Sequence, residues 1–286
     1  MQATMQARRH LRKIASLFGA YVPVCADPNC ATKTFLQTIR HRRNGMTFEG
    51  RWYCDADCFE RAVKEKIREL MTSLAKPVKT HNSRVPLGLL LLSRGVLTSE
   101  QLRVALERQR ATAGNFGDAV QQLGFASAEQ VTSAVAAQWA CPVFSFGDRL
   151  PGSHIRIPRQ LLDLYGFLPV HFAERERRLM IGFVHGVQHQ LLYTIAHMTS
   201  STVVPCFITA RDYEAHLNSF AAPSLHDDEL VFEQIVETTE MARITKNYAV
   251  QLGADKVRLG RCRDYLWIRI WGRKREMDLL FRVCSD

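Results

Sequence analysis

Apolar and polar residues recur in the same order twice between residues 86 and 138. The first copy reads PLGLLLLSRGVLTSEQLRVALERQ and the second reads NFGDAVQQLGFASAEQVTSAVAAQ. Five positions match when the copies are offset by 29 residues: Gly88 with Gly117, Gly95 with Gly124, Leu102 with Val131, Leu106 with Val135, and Gln109 with Gln138. Five matches at one spacing indicate an internal repeat.

Each copy predicts two helices joined by a turn. A short apolar helix, over 87–92 in one copy and 116–123 in the other, ends at a glycine that suits a left-handed backbone. A hydroxyl residue, Thr98 or Ser127, then caps a second helix that carries an acid in its first turn. In each second helix, two apolar residues four positions apart lie on the same face, and a glutamine follows about one turn later. An amide at the end of an apolar stripe is a candidate ligand contact.

The pattern after the repeat predicts a small α/β layer packed beside it. Two β-rich runs flank the charged turn AERERR and therefore predict a hairpin. The predicted elements are strands over 142–146, 167–172, 179–184 and 202–208, and helices over 158–165, 187–198 and 210–219. Beyond a second polar linker at 221–229, the pattern predicts a helix over 230–252 and antiparallel strands over 256–259 and 265–271.

Residues 1–20 predict a basic amphipathic helix with a short apolar face. Such a helix fits a membrane-surface anchor or an ordinary helix packed on its neighbour, and the short face favours the second. The polar stretch 76–84 predicts a linker into the repeat.

Two close cysteine pairs lie between the basic helix and this linker: Cys25 with Cys30, and Cys54 with Cys58. Between them MTFEGRWYC alternates as a strand, and a helix is predicted over 59–74. Paired thiols in a reducing compartment favour Zn²⁺, which takes four thiolates in a tetrahedron. Four thiolates leave no open position, so the site is structural. The alternative is four buried or reducible thiols without metal. The order of knuckle, hairpin and helix resembles a treble-clef finger and is similar to the FCS and MYM zinc fingers.

Charge and composition add constraints on location and partners. The chain has a net charge of +10, and residues 1–80 hold fifteen Lys and Arg against seven acids. An anionic partner such as nucleic acid fits this balance, and so does an ordinary solvated surface, which is favoured. No apolar run approaches the roughly 20 residues of a membrane span, and the N-terminus lacks a signal sequence. These features predict a cytoplasmic protein, placed at the inner face of the membrane only through a partner.

The repeat resembles the N-terminal domain of type II secretion and type IV pilus assembly ATPases, whose pattern is Arg-Leu-Gly-x-x-Leu-x-x-x-Gly and then Leu-x-x-x-Leu-x-x-Gln, twice. The resemblance runs to about Leu217. In the branch typified by the mannose-sensitive haemagglutinin pilus ATPase, this domain binds cyclic di-GMP. The resemblance implies nucleotide contacts at Leu87, Gly88, Leu91, Gly95, Leu102, Leu106, Gln109, Asn115, Phe116, Gly117, Val120, Gly124, Val131, Val135 and Gln138.

Three positions depart from the family pattern. Pro86 and Asn115 stand where the family has arginines that contact the nucleotide, and Phe116 stands where it has leucine. Each lost guanidinium removes a charge-assisted bond worth roughly 1.5–3 kcal/mol. Arg84, Arg94 and Arg110 lie nearby as candidate substitutes. Two interpretations stay open: weakened nucleotide binding, or a repeat kept only as a scaffold.

The end of the chain resembles a degenerate copy of the first segment of the ATPase core in this family. The resemblance rests on Gly253-Ala254-Asp255 and on the strand LWIRI. No G-x-x-x-x-G-K-[ST] phosphate loop occurs, which predicts that the protein is not an enzyme.

The predicted fold is α+β: a treble-clef-like zinc finger at 21–75, the repeat (86–109 and 115–138) with its α/β layer at 84–220, and a helix with short antiparallel strands at 228–286. The predicted function is that of a regulatory or adaptor protein that senses cyclic di-GMP weakly and contacts secretion or pilus machinery. The alternative is a ligand-free module that docks protein or nucleic acid.

Overall fold

The computed structural model describes residues 24–30, 45–72, 84–147, 155–220 and 228–283. The predicted basic helix at 1–20 and most of the linker at 76–84 lie outside these ranges. The helices are α1 (Ala56–Thr72), α2 (Leu87–Ser93), α3 (Ser99–Thr112), α4 (Phe116–Gln122), α5 (Ala128–Gln138), α6 (Arg159–Tyr165), α7 (His189–Thr199), α8 (Ala210–Phe220) and α9 (Thr238–Gln251). The strands are β1 (Met46–Phe48), β2 (Arg51–Tyr53), β3 (Phe167–Ala173), β4 (Arg178–Phe183), β5 (Thr202–Phe207), β6 (Glu229–Phe232), β7 (Lys256–Cys262), β8 (Tyr265–Trp271) and β9 (Glu276–Arg282). The α+β fold class is confirmed.

The chain divides into two compact units, and the first is built from both ends of the sequence. Unit 1 comprises residues 1–77 and 227–286, whereas unit 2 comprises residues 78–226. In unit 1 a six-stranded sheet has the order β2-β1-β7-β8-β9-β6. The cysteine-bearing hairpin therefore joins the C-terminal strands, through parallel pairing of β1 with β7. The sequence predicted β1, β2, β7 and β8 as strands but neither this pairing nor strand β9.

One face of the unit 1 sheet carries its hydrophobic core. Alternate residues of β7, β8 and β9 point to this face, as the two-residue period of a strand requires. Helices α1 and α9 pack against each other and against the sheet. The core includes Phe48 and Phe59 from the N-terminal segment together with Ile268 and Phe281 from the C-terminal strands. Each segment thus buries its apolar surface against the other.

Polar contacts also connect the two segments. Arg261 of β7 is buried and donates from Nη1 to the carbonyl oxygens of Leu70 and Met71 at 3.3 and 3.4 Å. It therefore satisfies carbonyl groups at the C-terminus of α1, where the helix dipole favours a cation. Glu49, in the turn between β1 and β2, accepts from the Leu259 N–H at 2.7 Å. The N-terminal segment thus takes part of its hydrogen bonding from strands about 200 residues later in the chain.

A buried ion pair lies on the other face of the same sheet. Arg269 of β8 and Asp278 of β9 are cross-strand neighbours, each 5% exposed. Arg269 donates from Nε and Nη2 to the two carboxylate oxygens at 2.8 and 2.7 Å, and the Trp267 indole N–H donates to Oδ1 at 2.7 Å. Burial would lower the pKa of Arg269, but the Asp278 carboxylate outweighs it and raises the pKa. Asp278 thus provides the main compensation for burying the Arg269 guanidinium.

The two repeat copies in unit 2 have the predicted caps. Gly95 and Gly124 adopt φ of +68° and +67°, the left-handed conformation expected after each first helix. Thr98 and Ser127 accept from the N–H three residues on and cap α3 and α5. In each copy a glutamine side chain, Gln101 or Gln130, accepts in return from the cap residue's N–H, which completes a capping box.

Glycine substitutions at the two helix ends are expected to destabilise unit 2 equally. We expect Gly95→Ala and Gly124→Ala each to lower the free energy of unfolding by about 1 kcal/mol, because an L-residue at positive φ is strained. No atom lies within 4 Å of a Cβ at either position, so packing would neither add to nor offset the strain. Denaturant unfolding of unit 2, followed by hydrogen exchange in the full chain, measures the loss. Gly124→Asn should lose less than Gly124→Ala, since asparagine tolerates this conformation; equal losses would contradict the explanation.

The two copies pack as a pseudo-two-fold pair. Helix α2 contacts α5, and α3 contacts α4, so each short helix meets the long helix of the other copy. A Cβ on Gly88 would meet Leu102 at 2.6 Å and Phe116 at 3.1 Å, and a Cβ on Gly117 would meet Val131 at 3.0 Å and Leu87 at 3.7 Å. These neighbours are themselves 29 positions apart, so the same contacts are made twice. The glycines allow two short helices and their partners to approach closely.

The rest of unit 2 is the predicted α/β layer. Strands β3, β4 and β5 form a three-stranded sheet in that order, with β3 and β4 antiparallel and β4 and β5 parallel. Helix α7 connects the two parallel strands, and α5 of the repeat packs on β5. The carboxyl ends of β4 and β5 therefore lie at the same edge of this sheet.

Two predicted elements differ in the structure. The helix predicted from Leu230 is wrong at its start, because Glu229–Phe232 form strand β6 and the helix begins at Thr238. Parallel pairing with β9 and stacking of Phe232 on Phe281 outweigh the local helical pattern. The strand predicted at 142–146 is reduced to one bridge between Val143 and Phe207.

None of the helices within the described ranges is long and apolar enough to cross a membrane.

Candidate metal centre and repeat surface

Two short turns present the four predicted metal ligands. The Cys25 to Cys30 turn is held by the Ala26 N–H, which donates to the Trp52 carbonyl at 2.9 Å, and by the Cys30 N–H, which donates to the Asp27 carbonyl at 3.2 Å. Cys54 directly follows β2, and Cys58 lies in the first turn of α1. Asp55 between them accepts from the Cys58 N–H at 2.7 Å and so fixes the start of the helix.

The four sulfur atoms converge on one point. All lie within 4.8 Å of one another, with Sγ to Sγ distances of 3.4 Å from Cys30 to Cys54 and 3.8 Å from Cys54 to Cys58. In a tetrahedral zinc site with bonds of about 2.3 Å, the sulfur atoms are about 3.8 Å apart. A disulfide would need about 2.05 Å, and all four cysteines are free thiols. The spacing therefore fits a four-thiolate metal centre and not two disulfides.

A charged pair borders these thiols. Arg61, one turn after Cys58 on α1, donates from Nη2 to the Cys58 sulfur at 3.2 Å. Its Nε donates to Asp27 Oδ2 at 2.9 Å, and Asp27 is 5% exposed. Asp27 also accepts from the Asn29 N–H at 2.9 Å, within the first cysteine turn. Arg61 thus links the two turns and brings a positive charge to the thiol cluster.

Burial and neighbouring groups shift the ionisation of these residues. Burial is the main cause that raises the pKa of the Cys58 thiol, and the adjacent Asp27 and thiols raise it further. Burial would also raise the pKa of Asp27, but the hydrogen bonds from Asn29 and Arg61 outweigh it and lower that pKa. The hydrogen bond to Asp27 raises the pKa of Arg61. A bound metal would displace the Cys58 proton, as zinc does at other thiol sites.

Removal of the Arg61 charge is expected to weaken metal binding. A zinc centre with four thiolates carries a net charge of −2, and a guanidinium that donates to one sulfur stabilises it. Because 49% of the Arg61 side chain is exposed, solvent screens part of this effect. We expect Arg61→Met to lower zinc affinity about fivefold, or about 1 kcal/mol, measured by competition with a chelator. Arg68→Met, on the exposed side of the same helix, is the control and should leave the affinity unchanged.

The structure divides the proposed nucleotide contacts into buried and accessible residues. The buried residues pack within the repeat and cannot touch a ligand without rearrangement: Gly88, Leu91, Val120, Val131 and Val135. The remaining positions are half-buried or exposed: Leu87, Gly95, Leu102, Leu106, Gln109, Asn115, Phe116, Gly117, Gly124 and Gln138. Any ligand on the repeat would therefore contact mainly this second group.

The neighbourhood of the two missing arginines is partly occupied. The Asn115 amide nitrogen lies 3.4 Å from both Asp118 Oδ2 and His185 Nδ1. The Gln138 side chain donates to the Val85 carbonyl oxygen at 2.6 Å. The Arg84 guanidinium lies on the Trp139 ring, 3.2 Å from its centroid. Arg84 is thus next to the first copy, as the sequence suggested, but it is engaged with an aromatic ring.

The sequence missed Asp27 and Arg61 as neighbours of the metal site. A signal was present, because Asp27 lies inside the first cysteine turn and Arg61 follows Cys58 by three residues, on the same face of α1. The two capping boxes were also readable, since Thr98 and Ser127 are each followed three residues later by glutamine.

Comparisons with known proteins find matches among solved structures, nine chains in all. No family model and no curated protein matches the chain. A solved structure of MshE with cdg is similar at 19% identity and a TM-score of 0.41, over 48% of this chain and 99% of that one. The N-terminal domain of XpsE is similar at 15% identity and a TM-score of 0.37, over 46% of this chain and 91% of that one.

Proposed function

We propose that this chain is a non-catalytic regulatory or adaptor protein whose unit 1 is held together by a structural zinc ion. The convergence of four free thiols within 4.8 Å carries the proposal. Cys25, Cys30, Cys54 and Cys58 would each supply one thiolate, and zinc would supply charge and a fixed tetrahedral geometry. Because all four positions are filled by protein, the ion would have no role in catalysis.

Metal analysis of the purified protein tests the zinc site directly. We expect one zinc per chain, surrounded by four sulfur atoms at about 2.3 Å in X-ray absorption. Cys141→Ser, outside the cluster, should keep the metal. A protein that folds without zinc, or a first shell with fewer than four sulfur atoms, would contradict the proposal.

Binding of cyclic di-GMP is a second candidate function, favoured by the pseudo-two-fold packing of the repeat. Cyclic di-GMP has two equivalent halves, and the repeat presents equivalent half-buried positions, Leu87 with Phe116 and Gln109 with Gln138. Binding of the unmodified chain should be weak, because Pro86 and Asn115 replace the two arginines. Restoring both with Pro86→Arg and Asn115→Arg should tighten binding by one to two decades for each guanidinium bond regained.

Calorimetric titration distinguishes the outcomes for the repeat. If the double variant folds and does not bind millimolar cyclic di-GMP, the repeat is a scaffold. If the unmodified chain binds in the nanomolar range, the two substitutions do not weaken the site, and Arg84 is the residue to replace next. Zinc content is independent of either result, so failure here leaves the metal proposal intact.

The resemblance of the repeat also bears on the partner and the location of the protein. The sequence resemblance of the repeat supports a partner within secretion or pilus machinery and a place in the cytoplasm, at the inner face of the membrane through that partner. Docking of protein or nucleic acid without a small ligand is the alternative, and the basic N-terminal residues support it.

We expect no ATP hydrolysis above the buffer background, since the sequence has no phosphate loop; a rate that follows the protein peak through repurification would contradict this.

A further inference from the structure

A cavity of about 630 Å³ lies at one edge of the small sheet in unit 2. Its walls come from the end of α6, the loop after β4 and the start of α8, with Trp139 beside them. This is the edge at which the parallel strands β4 and β5 both end. Small-molecule sites of α/β sheets are found outside the carboxyl ends of parallel strands, and their volumes are commonly 300–1,000 Å³. The position and size of the cavity are thus those of a ligand site.

The side chains that line the cavity include acids but no Lys or Arg, whereas the chain as a whole is basic. The protein has 38 Lys and Arg against 28 Asp and Glu, yet the lining has two carboxylates, Asp163 and Glu214, and no Lys or Arg. The wall also contains the aromatic rings of Trp139, Tyr165 and Tyr213 and the imidazole of His185. Carboxylates together with aromatic rings attract cations and repel phosphates, so this chemistry does not suit a nucleotide.

Guanidinium groups already contact two of these residues from outside the lining. Arg84 lies on the Trp139 ring, and Arg159 donates from Nε to both Asp163 oxygens at 2.9 and 2.8 Å. Tyr213 is fixed by its hydroxyl, which donates to the Leu162 carbonyl at 3.0 Å. Glu214 is exposed, and no ion pair to it is found in the part of the chain that the structure describes. Glu214 is therefore the carboxylate available to an incoming cation.

We propose that this cavity binds a small organic cation, a guanidinium or alkylammonium group, with Glu214 as its counter-ion and the tyrosine rings as its walls. Two sources share this chemistry: a free amine, or an Arg or Lys side chain presented by a peptide. The cavity belongs to unit 2, and its lining touches the repeat at His185, whose Nδ1 lies 3.4 Å from the Asn115 amide nitrogen. The proposal is argued from the side chains of the cavity and depends on neither function proposed above.

Titration of the full chain with two probes tests the site and distinguishes its source. Agmatine represents a free amine, and acetyl-Gly-Arg-Gly-amide represents a peptide side chain. Saturable binding of either below about 10 mM supports the proposal, and the tighter probe identifies the source. Pyrophosphate should not bind at the same cavity. Absence of saturable binding by both cations would overturn the proposal.

Variants show whether binding occurs at this cavity. Glu214→Gln should weaken binding about tenfold, whereas Glu174→Gln, on the exposed turn at the other end of β4, should not change it. Ala210→Leu keeps both carboxylates and fills the cavity from the start of α8, so it should abolish binding. Hydrogen exchange of unit 2 must match the unmodified chain in each variant. Unchanged binding in both Glu214→Gln and Ala210→Leu would place the cation elsewhere and overturn the assignment.

Discussion

Replacement of Cys54 by serine is expected to release zinc and to unfold unit 1 as a whole, including strands β7 to β9. Cys54 and Cys58 are both 1% exposed and belong to the same core cluster as Ile268 and Phe281. Structural zinc contributes about 10–16 kcal/mol to small thiol domains, which is comparable to or larger than the whole stability of a typical domain. Loss of the metal should therefore exceed what the remaining contacts can compensate.

Hydrogen exchange resolved by segment provides the measurement. In Cys54→Ser, amides of α1, β7, β8 and β9 should lose protection together, while α2 to α8 keep theirs. Cys206→Ser, a buried cysteine of unit 2, is the control and should leave unit 1 protected. If only residues 25–72 lose protection and β7 to β9 stay protected, the cysteine segment folds separately and the shared sheet does not couple the two ends of the chain.

Replacement of Asp278 by alanine is expected to destabilise unit 1 by about 3–5 kcal/mol. The change would leave the Arg269 charge buried without its counter-ion and the Trp267 indole N–H without its acceptor. Chemical denaturation of the full chain, followed by hydrogen exchange of β7 to β9, measures the loss in unit 1 separately from unit 2.

A double variant separates the ion pair from packing. Arg269→Met combined with Asp278→Leu removes both charges and should recover the part of the loss that comes from the unpaired Arg269 charge. The Trp267 indole N–H still lacks its acceptor in this variant, so recovery should be incomplete. Arg282→Ala, which removes an exposed pairing with Glu233, should cost less than about 1 kcal/mol. A loss as large in the double variant as in Asp278→Ala would mean that the Trp267 hydrogen bond or the shape of the site, rather than the Arg269 charge, decides stability here.

Local signals in the sequence predicted most elements and the clustering of the four cysteines. The helix caps at Thr98 and Ser127, the positive φ at Gly95 and Gly124 and the convergence of four cysteines all depend on residues that are near in sequence or carry distinctive chemistry. Such features follow from short-range geometry, so spacing alone is sufficient to find them.

Long-range pairing was not predictable from the same signals. Strand β1 is only three residues long, and nothing in its alternation specifies β7 as its neighbour. The local pattern of residues 229–232 predicts the start of a helix, but parallel pairing with β9 makes this segment a strand. The cavity near Glu214 was also missed, because its lining comes from separate segments that meet only when β4 and β5 lie side by side.

The division of unit 1 between the two ends of the chain has a consequence during synthesis. Roughly 200 residues separate Cys58 from β7, and ribosomes add about 5–20 residues per second, so the cysteine segment waits about 10–40 s for the strands that complete its sheet. Through that interval Phe48 and Phe59 have no C-terminal core to enter, and the four thiols are open to oxidation or to the wrong metal. Early capture of zinc would close the two turns while the ribosome is still producing unit 2. Cells short of zinc should therefore accumulate nascent chains with a folded unit 2 and an exposed N-terminal segment, which a protease would remove first.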